Sequence, residues 1–517
     1  MKNIFIVLII LIASACNYLD DYSQDLVVAK SVSDLDEVLL GSVYLPSKSS
    51  VKDLAYGDMG WWLHIMDDDV NGVITPKGGL RYYSYAMNEA YFGYTCWQLE
   101  VGRNYTKNNL ADDNALWDDL YRRINVCNII LEEIKDIHIP EEDQMDALRV
   151  KGEAHFIRAQ FYFILVNIYS NAYEPDKAAT TPGVPLKLTN YVEHNKDKDS
   201  QFERTSVEQV YNQIVADLKA AVDCFTKSPQ THSFYRASKE ASLLLLSRVY
   251  LFMQDWTNAR TTAAELLELK SALKNYILAN EEEEIISRSN PEILFSQGSL
   301  NLQQAISGNG GDFCISNDLY HLYSDKDCRK TLFFSEASNS DSIALGMKYR
   351  HDEHQSYVSD LYLLRTSEAW LNMMEACAML DKADEASKWL NDFRTYRITD
   401  WQNVNYDLQT VIQEIRKERR KELCLEGHRW FDLRRYAVCS KTPFQKKIER
   451  VFALYKWNSD YTFDHAELYC LEKNDPAYTL SIPKSVLEFD KGMPDNERIA
   501  RHLTKIIKYK FVNNEQK

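Results

Sequence analysis

Aromatic residues crowd the stretch between Trp61 and Trp97. Nine of its thirty-seven residues are aromatic, twice the 12% of the whole chain: Trp61, Trp62, Tyr82, Tyr83, Tyr85, Tyr91, Phe92, Tyr94 and Trp97. Interspersed glycine, asparagine and glutamate residues make the setting typical of loops. Aromatic faces stack on the apolar faces of sugar rings, while polar side chains bond the hydroxyls. The cluster therefore predicts a glycan-binding surface, and the alternative is a loop packed on its own rings.

A second candidate surface is the loop Gly308–Tyr323, which contains three aromatic residues. Across the two loops, the residues that we predict to contact ligand are Trp61, Trp62, Tyr83, Phe92, Tyr94, Trp97, Phe313 and Tyr320. For any single ring, packing inside the protein is the competing interpretation.

One acidic motif could hold a metal ion. Asp67, Asp69 and Asn71 match the opening of a calcium-binding EF-hand loop, but Gly78 stands where the bidentate glutamate belongs. A calcium site and a plain polar turn both remain open. The stretch 351–354 (HDEH) fits a solvated loop better than a metal pair. Because no two cysteines form a C-x-x-C pair, a zinc site is disfavoured.

The segment from Ile412 to Arg429 places charged residues where a helix should have an apolar face. Its periodic positions recur at spacings of three and four: Ile412, Ile415, Arg419, Glu422, Glu426 and Arg429. We predict a partly buried structural ion network formed by Arg419, Glu422, Glu426 and Arg429. Such a network would clamp the C-terminal region onto the rest of the chain. The alternative is a catalytic pair, Glu422 and Glu426, but arginines lie near both and no nucleophile accompanies them.

Several classes of function are disfavoured by composition and motifs. The chain contains no G-x-S-x-G, H-E-x-x-H, P-loop or dinucleotide-binding motif, so we expect a protein that is not an enzyme and needs no cofactor. The net charge of −16 leaves no basic surface for phosphate backbones, which disfavours nucleic acid as a partner. Among the ten cysteines, Cys314 and Cys328 are the pair to test for a disulfide, because export permits one.

The fold is predicted to be mainly α-helical, since four long segments show helical periodicity and none shows sustained alternation with a period of two. The stretch 239–269 has the spacing of a tetratricopeptide hairpin with its turn at 254–256. Similar hairpins are predicted through Leu363–Phe393 and for 149–169 paired with 206–225. We expect these units to stack into a curved scaffold.

Long segments of another character separate the predicted hairpins. They are richer in glycine, proline, asparagine, aspartate and aromatic residues, and comprise 44–108, 170–204, 271–360 and 437–517. Loops of this length usually bind something or fold into small substructures, so we expect the functional surfaces there.

The N-terminus has the layout of an export signal. One basic residue precedes the apolar run Ile4–Ala13, and the residues that end at Cys16 (ASAC) resemble a lipobox. We predict a lipoprotein signal peptide over 1–15 and acylation of Cys16, and the alternative is a plain signal peptide cut nearby. The apolar run is too short to span a bilayer, whereas acyl chains on one cysteine give stable anchoring. The following stretch 17–22 (NYLDDY) resembles the acidic export signal of surface-displayed lipoproteins.

A series of motifs, in this order, gives the chain its resemblance to a known family. They are Trp117–Tyr121 (WDDLY), Lys151–Ala159 (KGEAHFIRA), Gly183–Leu186 (GVPL), Arg204–Val207 (RTSV), Arg248–Leu251 (RVYL), Leu364–Ala376, Glu426–Arg429 (EGHR) and Asp432–Arg435 (DLRR). Each motif is weak alone. Together the chain resembles the SusD/RagB family of outer-membrane nutrient-binding lipoproteins over nearly its whole mature length.

The resemblance implies a fold, a role and partners. It implies a SusD-like tetratricopeptide scaffold with an N-terminal region over 16–230 and a RagB/SusD region over 270–517, expected to form one compact body. The implied role is capture of an oligosaccharide at the cell surface and its delivery, as a lid, to a SusC-like TonB-dependent transporter. Peptide capture, as in the RagB branch, is an alternative, and an all-helical glycoside hydrolase is another. A hydrolase would need two carboxylates about 5–10 Å apart in a cleft.

Overall fold

The computed structural model describes most of the chain. The described residues are 29–45, 60–74, 89–107, 113–191, 202–230, 233–280, 283–298, 302, 306, 313–336, 343–345, 348–349, 358–456 and 462–508. Cys16 and Tyr83 lie outside them, as do the stretches 17–22 and 351–354.

Helices dominate the described part of the chain, as the sequence predicts. They are α1 (Val32–Val38), α2 (Phe92–Thr95), α3 (Ala115–Asp136), α4 (Gln144–Tyr169), α5 (Val207–Lys227), α6 (Lys239–Phe252), α7 (Trp256–Leu269), α8 (Asn317–Tyr320), α9 (Arg329–Phe333), α10 (Thr366–Met379), α11 (Ala383–Arg394), α12 (Leu408–Leu423), α13 (Arg429–Ala437) and α14 (Lys484–Phe489). A π-helical turn, Leu39–Val43, continues α1. Short 3-10 turns occupy Trp61–Ile65, Glu141–Asp143, Tyr276–Leu278 and Pro476–Tyr478.

The strands are short and form three antiparallel sheets. They are β1 (Val70–Gly72), β2 (Ile293–Gln297), β3 (Phe313–Ile315), β4 (Phe334–Glu336), β5 (Ile343–Leu345), β6 (Tyr362–Arg365), β7 (Ile448–Tyr455), β8 (Phe463–Leu471) and β9 (Lys505–Ile507). The strand orders are β1-β3-β5-β4, β2-β6 and β7-β8-β9. In the third sheet Ile448 lies opposite Leu471, with one register shift between Leu454 and Tyr455.

The predicted helical hairpins are confirmed and stack on one another. Helix α4 packs against α5, α6 against α7 and α10 against α11, while α10 also contacts α7 and α12. The turn between α6 and α7 contains a residue at positive φ, Gln254 (φ 61°). The turn between α10 and α11 contains another, Asp381 (φ 62°). In the first hairpin Gly152 permits close approach, because a Cβ there would lie 2.9 Å from the Cβ of Cys224.

Two features differ from the sequence prediction. The third hairpin was expected to begin at Leu363, but residues 362–365 form strand β6 and the helix begins at Thr366. The backbone there pairs with β2 and both faces of β6 are buried, so its continuous apolar run fits a buried strand as well as a helix. The β7–β8 hairpin was not predicted, because its buried positions do not alternate regularly. No helix in the described residues is long and apolar enough to cross a membrane.

Candidate functional site

Most of the aromatic residues predicted to bind ligand are buried. Trp61, Trp62, Phe92, Tyr94 and Trp97 are only 1–5% exposed and belong to the main hydrophobic core. A ring must offer a free face to stack on a sugar, and these rings offer none. The prediction is therefore corrected for these five residues, and the alternative of a segment packed on its own rings describes them.

The packing of these rings explains their density in the sequence. Trp62 stacks on Tyr94 with ring centroids 4.4 Å apart, and Trp61 meets Tyr91 edge-on at 4.7 Å. The indole Nε1 of Trp97 donates to the carbonyl of Met66 at 2.9 Å. The cluster is thus a structural unit that joins the 3-10 turn at 61–65 to helix α2.

The second predicted ligand surface is also mostly enclosed. Phe313, in β3, is 2% exposed and packs in the core, which corrects that prediction. Tyr320 is half-buried at the end of α8, with its ring edge-on to Phe334 at 5.9 Å and the ammonium of Lys330 5.3 Å from its centroid. Of the eight predicted residues, Tyr320 alone is both described and partly open to solvent.

The predicted ion network is present and is larger than the sequence suggested. Glu422, at the end of α12, lies at its centre and has no exposed surface. Its carboxylate is 2.9 Å from Arg329, 2.7 Å from Arg365 and 2.9 Å from Arg397. Burial opposes ionisation, yet Arg397, Arg365 and Arg329 hold the pKa of Glu422 well below its usual value. One carboxylate thereby ties together α9, β6, the end of the third hairpin and α12.

The other predicted members join neighbouring branches of the network. Glu426 pairs with Arg365 at 2.8 Å and with Lys348 at 2.7 Å. Arg419 pairs with Asp432 at 2.9 Å. Arg429 does not bond Glu426, its expected neighbour at i+3. The helix is interrupted after Leu423, and Arg429 turns instead to Asp68 at 2.6 Å.

The buried network also decides the catalytic alternative. A catalytic carboxylate has to reach its substrate, and Glu422 and Glu426 are at most 1% exposed. Their arginine and lysine partners hold both pKa values below the usual range, although burial alone would raise them. Neither glutamate can therefore protonate a leaving group or attack a sugar in this structure. The two carboxylates stabilise the fold through ion pairs.

Two aspartates at the predicted calcium motif, Asp68 and Asp69, are paired with arginines. Asp67, Asp68 and Asp69 bring carboxylate oxygens within 4.8 Å of one another. Arg420 bonds Asp69 at 2.7 Å, and Arg429 bonds Asp68 at 2.6 Å. Two guanidinium groups at this distance occupy the place of a cation and repel another one.

The remaining calcium candidate does not face the carboxylates. The amide oxygen of Asn71 accepts hydrogen bonds from the backbone amides of Gly72 and Val451, at 2.8 and 3.0 Å. It therefore fixes β1 to β7. The arrangement fits a polar turn held by arginines and does not fit a calcium loop.

An open pocket lies elsewhere, between the end of α4, helix α13 and the C-terminal segment. We call it the Arg434 pocket; it has a volume of about 380 Å³. Its lining is Asn171, Ala172, Glu174, Lys177, Thr181, Leu433, Arg434, Ala437, Val438, Gln445, Lys446, Asn474, Asp475, Pro476, Tyr478, Thr479, Asn496 and Glu497. Four amide side chains and one aromatic ring form part of this wall, a mixture that suits a hydroxyl-rich ligand.

Contacts within the protein hold two residues of the pocket wall, Tyr478 and Asn496, in place. The ring of Tyr478 stacks on Trp430 of α13 at 4.9 Å, which fixes its orientation at the wall. The amide of Asn496 donates to the carbonyls of Tyr169 and Leu480, at 2.7 and 2.6 Å. The C-terminal segment is therefore held against the end of α4, and the pocket is preformed.

A second pocket adjoins the first. It has a volume of about 590 Å³, is lined by residues of 179–182, 203–206 and 492–494 together with Gln209, and shares Thr181 with the Arg434 pocket. Arg204 lies in its wall and donates to the carbonyl of Gly183 at 2.7 Å and to that of Pro494 at 2.9 Å. We call the two pockets together the junction groove.

The junction groove lies in segments where the sequence analysis expects functional surfaces, but its individual residues were not predicted. The segments 170–204 and 437–517 were among those expected to hold functional surfaces, and they form most of the groove wall. Arg434 was noticed only as part of a family motif. A buried arginine without a carboxylate partner cannot be recognised from spacing, because it contacts residues such as Ser170, which lies 264 residues away in the sequence.

Comparison with known proteins bears on the family. Residues 70–251 match a SusD-like family model described as starch-binding and associating with the outer membrane, and residues 347–498 match the model of the SusD family. The two matches follow each other along the chain and include α4, α5 and α10 to α13. The chain belongs to the SusD/RagB family.

This SusD/RagB protein has distant relatives among characterised sequences. It is 24% identical over 254 residues to a SusD-like protein of Formosa agariphila, which covers 48% of this chain and 41% of the relative. It is 21% identical over 382 residues to a SusD-like protein of Bacteroides ovatus, covering 62% of this chain and 65% of the relative. In both cases the match spans less than two thirds of the relative's length.

Solved structures show the same SusD fold over nearly the whole chain. A protein of Bacteroides vulgatus described as sugar-binding aligns over 91% of this chain and 99% of its own, with 24% identity and a TM-score of 0.67. A SusD superfamily protein of Bacteroides thetaiotaomicron aligns over 90% and 100%, with 23% identity and a TM-score of 0.64. The mainly helical, tetratricopeptide-like fold of the SusD family is thereby established for this protein.

Proposed function

We propose that this protein binds a nutrient oligosaccharide at the surface of the outer membrane and delivers it, as a lid, to a SusC-like TonB-dependent transporter. The observation that carries the proposal is the match of 70–251 to a family model described as starch-binding and outer-membrane-associated. A structural neighbour described as sugar-binding shares the fold and supports the same reading.

The junction groove is the part of the described surface that we propose for ligand binding. Its two pockets, of about 380 and 590 Å³, each fall within the range of roughly 300–1,000 Å³ that small-molecule sites occupy. Thr181 lines both pockets, and we propose that one chain of several sugar units occupies both. Amide side chains can both donate to and accept from sugar hydroxyls, and Tyr478 offers an aromatic surface.

Glycan binding is tested directly by titration calorimetry of the purified full chain in detergent. We expect measurable binding to at least one member of a panel of plant and host polysaccharides. Short peptides are titrated in the same series, because peptide capture is the competing role. Binding of peptides with no heat from any glycan would contradict the proposal and favour a RagB-like peptide-binding protein.

Lipid anchoring at Cys16 is the second part of the proposal, because ASAC follows an apolar run of signal-peptide length. Cells fed an alkyne fatty acid should incorporate the label into the wild-type protein and not into Cys16→Ala. The Cys314→Ala variant, which retains Cys16, serves as the matched control and should be labelled like the wild type. Labelling of Cys16→Ala at the wild-type level would exclude this anchor.

A further inference from the structure

Arg434 and Arg450 are both buried and have no carboxylate partner among the described residues, but every nitrogen of Arg450 donates to a backbone carbonyl. Arg434, in α13, is only 4% exposed, and no carboxylate within ion-pair distance is present among the described residues. One of its nitrogens, Nη2, donates to the carbonyl of Ser170 and to Oγ1 of Thr479. The other, Nη1, is buried and has no hydrogen-bond partner within the described ranges. Burial without an anion lowers the pKa of Arg434 to about 10.

The next residue along the same helix shows the contrast. Arg435 is 5% exposed, and its guanidinium bonds Glu375 at 2.6 Å and Asp432 at 2.7 Å. Arg419, in α12, is paired with Asp432 in the same way. Burial of a charge without a partner is destabilising, so Arg434, unlike Arg435 and Arg419, lowers the stability of the fold until a ligand supplies the anion.

Arg434 differs also from Arg204 in the adjoining pocket. Arg204 donates from each of its nitrogens to carbonyl or amide oxygens that include those of Gly183, Pro494 and Asn496, and acts as a brace between segments. Beside Arg434, the hydroxyl of Ser170 is buried and likewise has no partner in the part of the chain that the structure describes. Arg434 and Ser170, which are joined by the hydrogen bond from Nη2 to the Ser170 carbonyl, thus each keep one buried polar atom without a partner among the described residues.

Arg434 itself lines the Arg434 pocket, and most of the other charged residues in the lining are paired. Glu174 pairs with Lys177 at 2.9 Å. Asp475 pairs with Arg501 at 2.7 Å, and Lys446 with Asp68 at 2.6 Å. Glu497 is exposed, so water screens its charge. A ligand that enters the pocket therefore meets one unscreened positive charge, on Arg434.

We propose that the Arg434 pocket binds the acidic group of an anionic oligosaccharide, with Arg434 as its charge partner. The inference rests on the proposed glycan-binding function and names the class of glycan. A carboxylate, as in a uronic acid, or a sulfate ester offers the same chemistry, namely anionic oxygens that accept charge-assisted hydrogen bonds from the guanidinium. A neutral sugar supplies no anion, so Arg434 remains without a charge partner when such a sugar binds.

The test compares oligosaccharides that differ only in their acidic group. Titration calorimetry of the full chain is carried out with oligogalacturonate against oligogalactose, with oligoglucuronate against cello-oligosaccharide, and with sulfated against unsulfated oligogalactose. In at least one pair the acidic member should bind about tenfold or more tightly, as one charge-assisted interaction implies. A preference confined to the sulfated pair identifies a sulfate ester, and one confined to the other pairs identifies a uronic acid.

Two variants tie the preference to the pocket. Ala172→Trp fills the pocket and leaves every contact of Arg434 in place, so it should abolish binding of the acidic ligand. Ala500→Trp, at an exposed alanine that does not line the pocket, is the matched control and should bind like the wild type. Arg434→Gln should bring the two members of the pair to equal affinity, and its thermal melt reports whether it is folded.

The outcomes separate this inference from the proposed function. Equal affinity for acidic and neutral members in every pair overturns the anionic-ligand inference and leaves glycan binding standing. An acidic preference that survives Ala172→Trp also overturns it, because the binding site is then elsewhere. Failure of all glycans to bind, with or without binding of an acidic peptide such as tetraglutamate, overturns the proposed function itself.

Discussion

Replacing Glu422 by alanine is expected to lower the free energy of unfolding by about 3–5 kcal/mol. Its carboxylate lies within 2.9 Å of Arg329, Arg365 and Arg397, and these three guanidinium groups are at most 1% exposed. Removal of the carboxylate leaves them crowded together without their shared anion, and none can turn to solvent. Thermal and urea unfolding followed by circular dichroism measures the loss.

Two further variants calibrate that result. Lys388→Ala removes a charge that is 78% exposed and pairs with Asp392 on α11, so its effect should stay within about 0.5 kcal/mol. Arg419→Ala should fall between the two, because Asp432 keeps its second partner, Arg435. If Glu422→Ala is no more destabilised than Lys388→Ala, the network is solvated in solution and contributes little.

Acid is expected to unfold the protein steeply below about pH 4, the ordinary pKa range of carboxylates. Arginine partners hold the folded-state pKa values of Glu418, Glu422, Glu426 and Asp432 below those of the unfolded chain, against the opposing effect of burial. A lowered folded pKa contributes stability that is present above the unfolded pKa and is lost as pH falls through the folded value. Each such group changes the unfolding free energy by up to about 1.4 kcal/mol per pH unit in that window.

Melting temperatures between pH 7 and pH 2 test this expectation. Glu418→Gln removes one of the titrating groups and should make the acid slope shallower by about one proton. Asp392→Asn, on the exposed surface of α11, should leave the slope unchanged. Asp67 has the opposite sign, since burial and Asp69 raise its pKa, and it offsets one group among several. A flat stability profile down to pH 2 would show that the carboxylates of the network contribute no net ionic stabilisation.

Local sequence patterns predicted the helical architecture well because that information is contained in adjacent turns of the chain. The hairpin at 239–269 and its turn follow from apolar spacing and from Asp255, which caps α7. The strands β6 to β8 were not predicted, because their pairing depends on partners distant in sequence. Strand β6, for example, gains its backbone hydrogen bonds from β2 and its buried setting from the helices around it.

The site was harder to predict than the fold. Density of aromatic residues at 61–97 does not distinguish a ring that faces solvent from one that stacks on its neighbour, and Trp62 on Tyr94 is the second kind. Charge periodicity at 412–429 correctly indicated a network, since charged residues that continue the apolar face of a helix require counter-charges. Arg434 gave no such signal, because what distinguishes it is a missing partner.

The pairing of Asp68 and Asp69 with Arg429 and Arg420 joins parts of the chain that are far apart in sequence. These partners are 361 and 351 residues apart in sequence, so the chain segment around β1 cannot reach its native state until nearly all of the protein has emerged. Until then its adjacent carboxylates repel one another and resist burial. We therefore expect these two ion pairs to be among the last contacts to form when the protein folds.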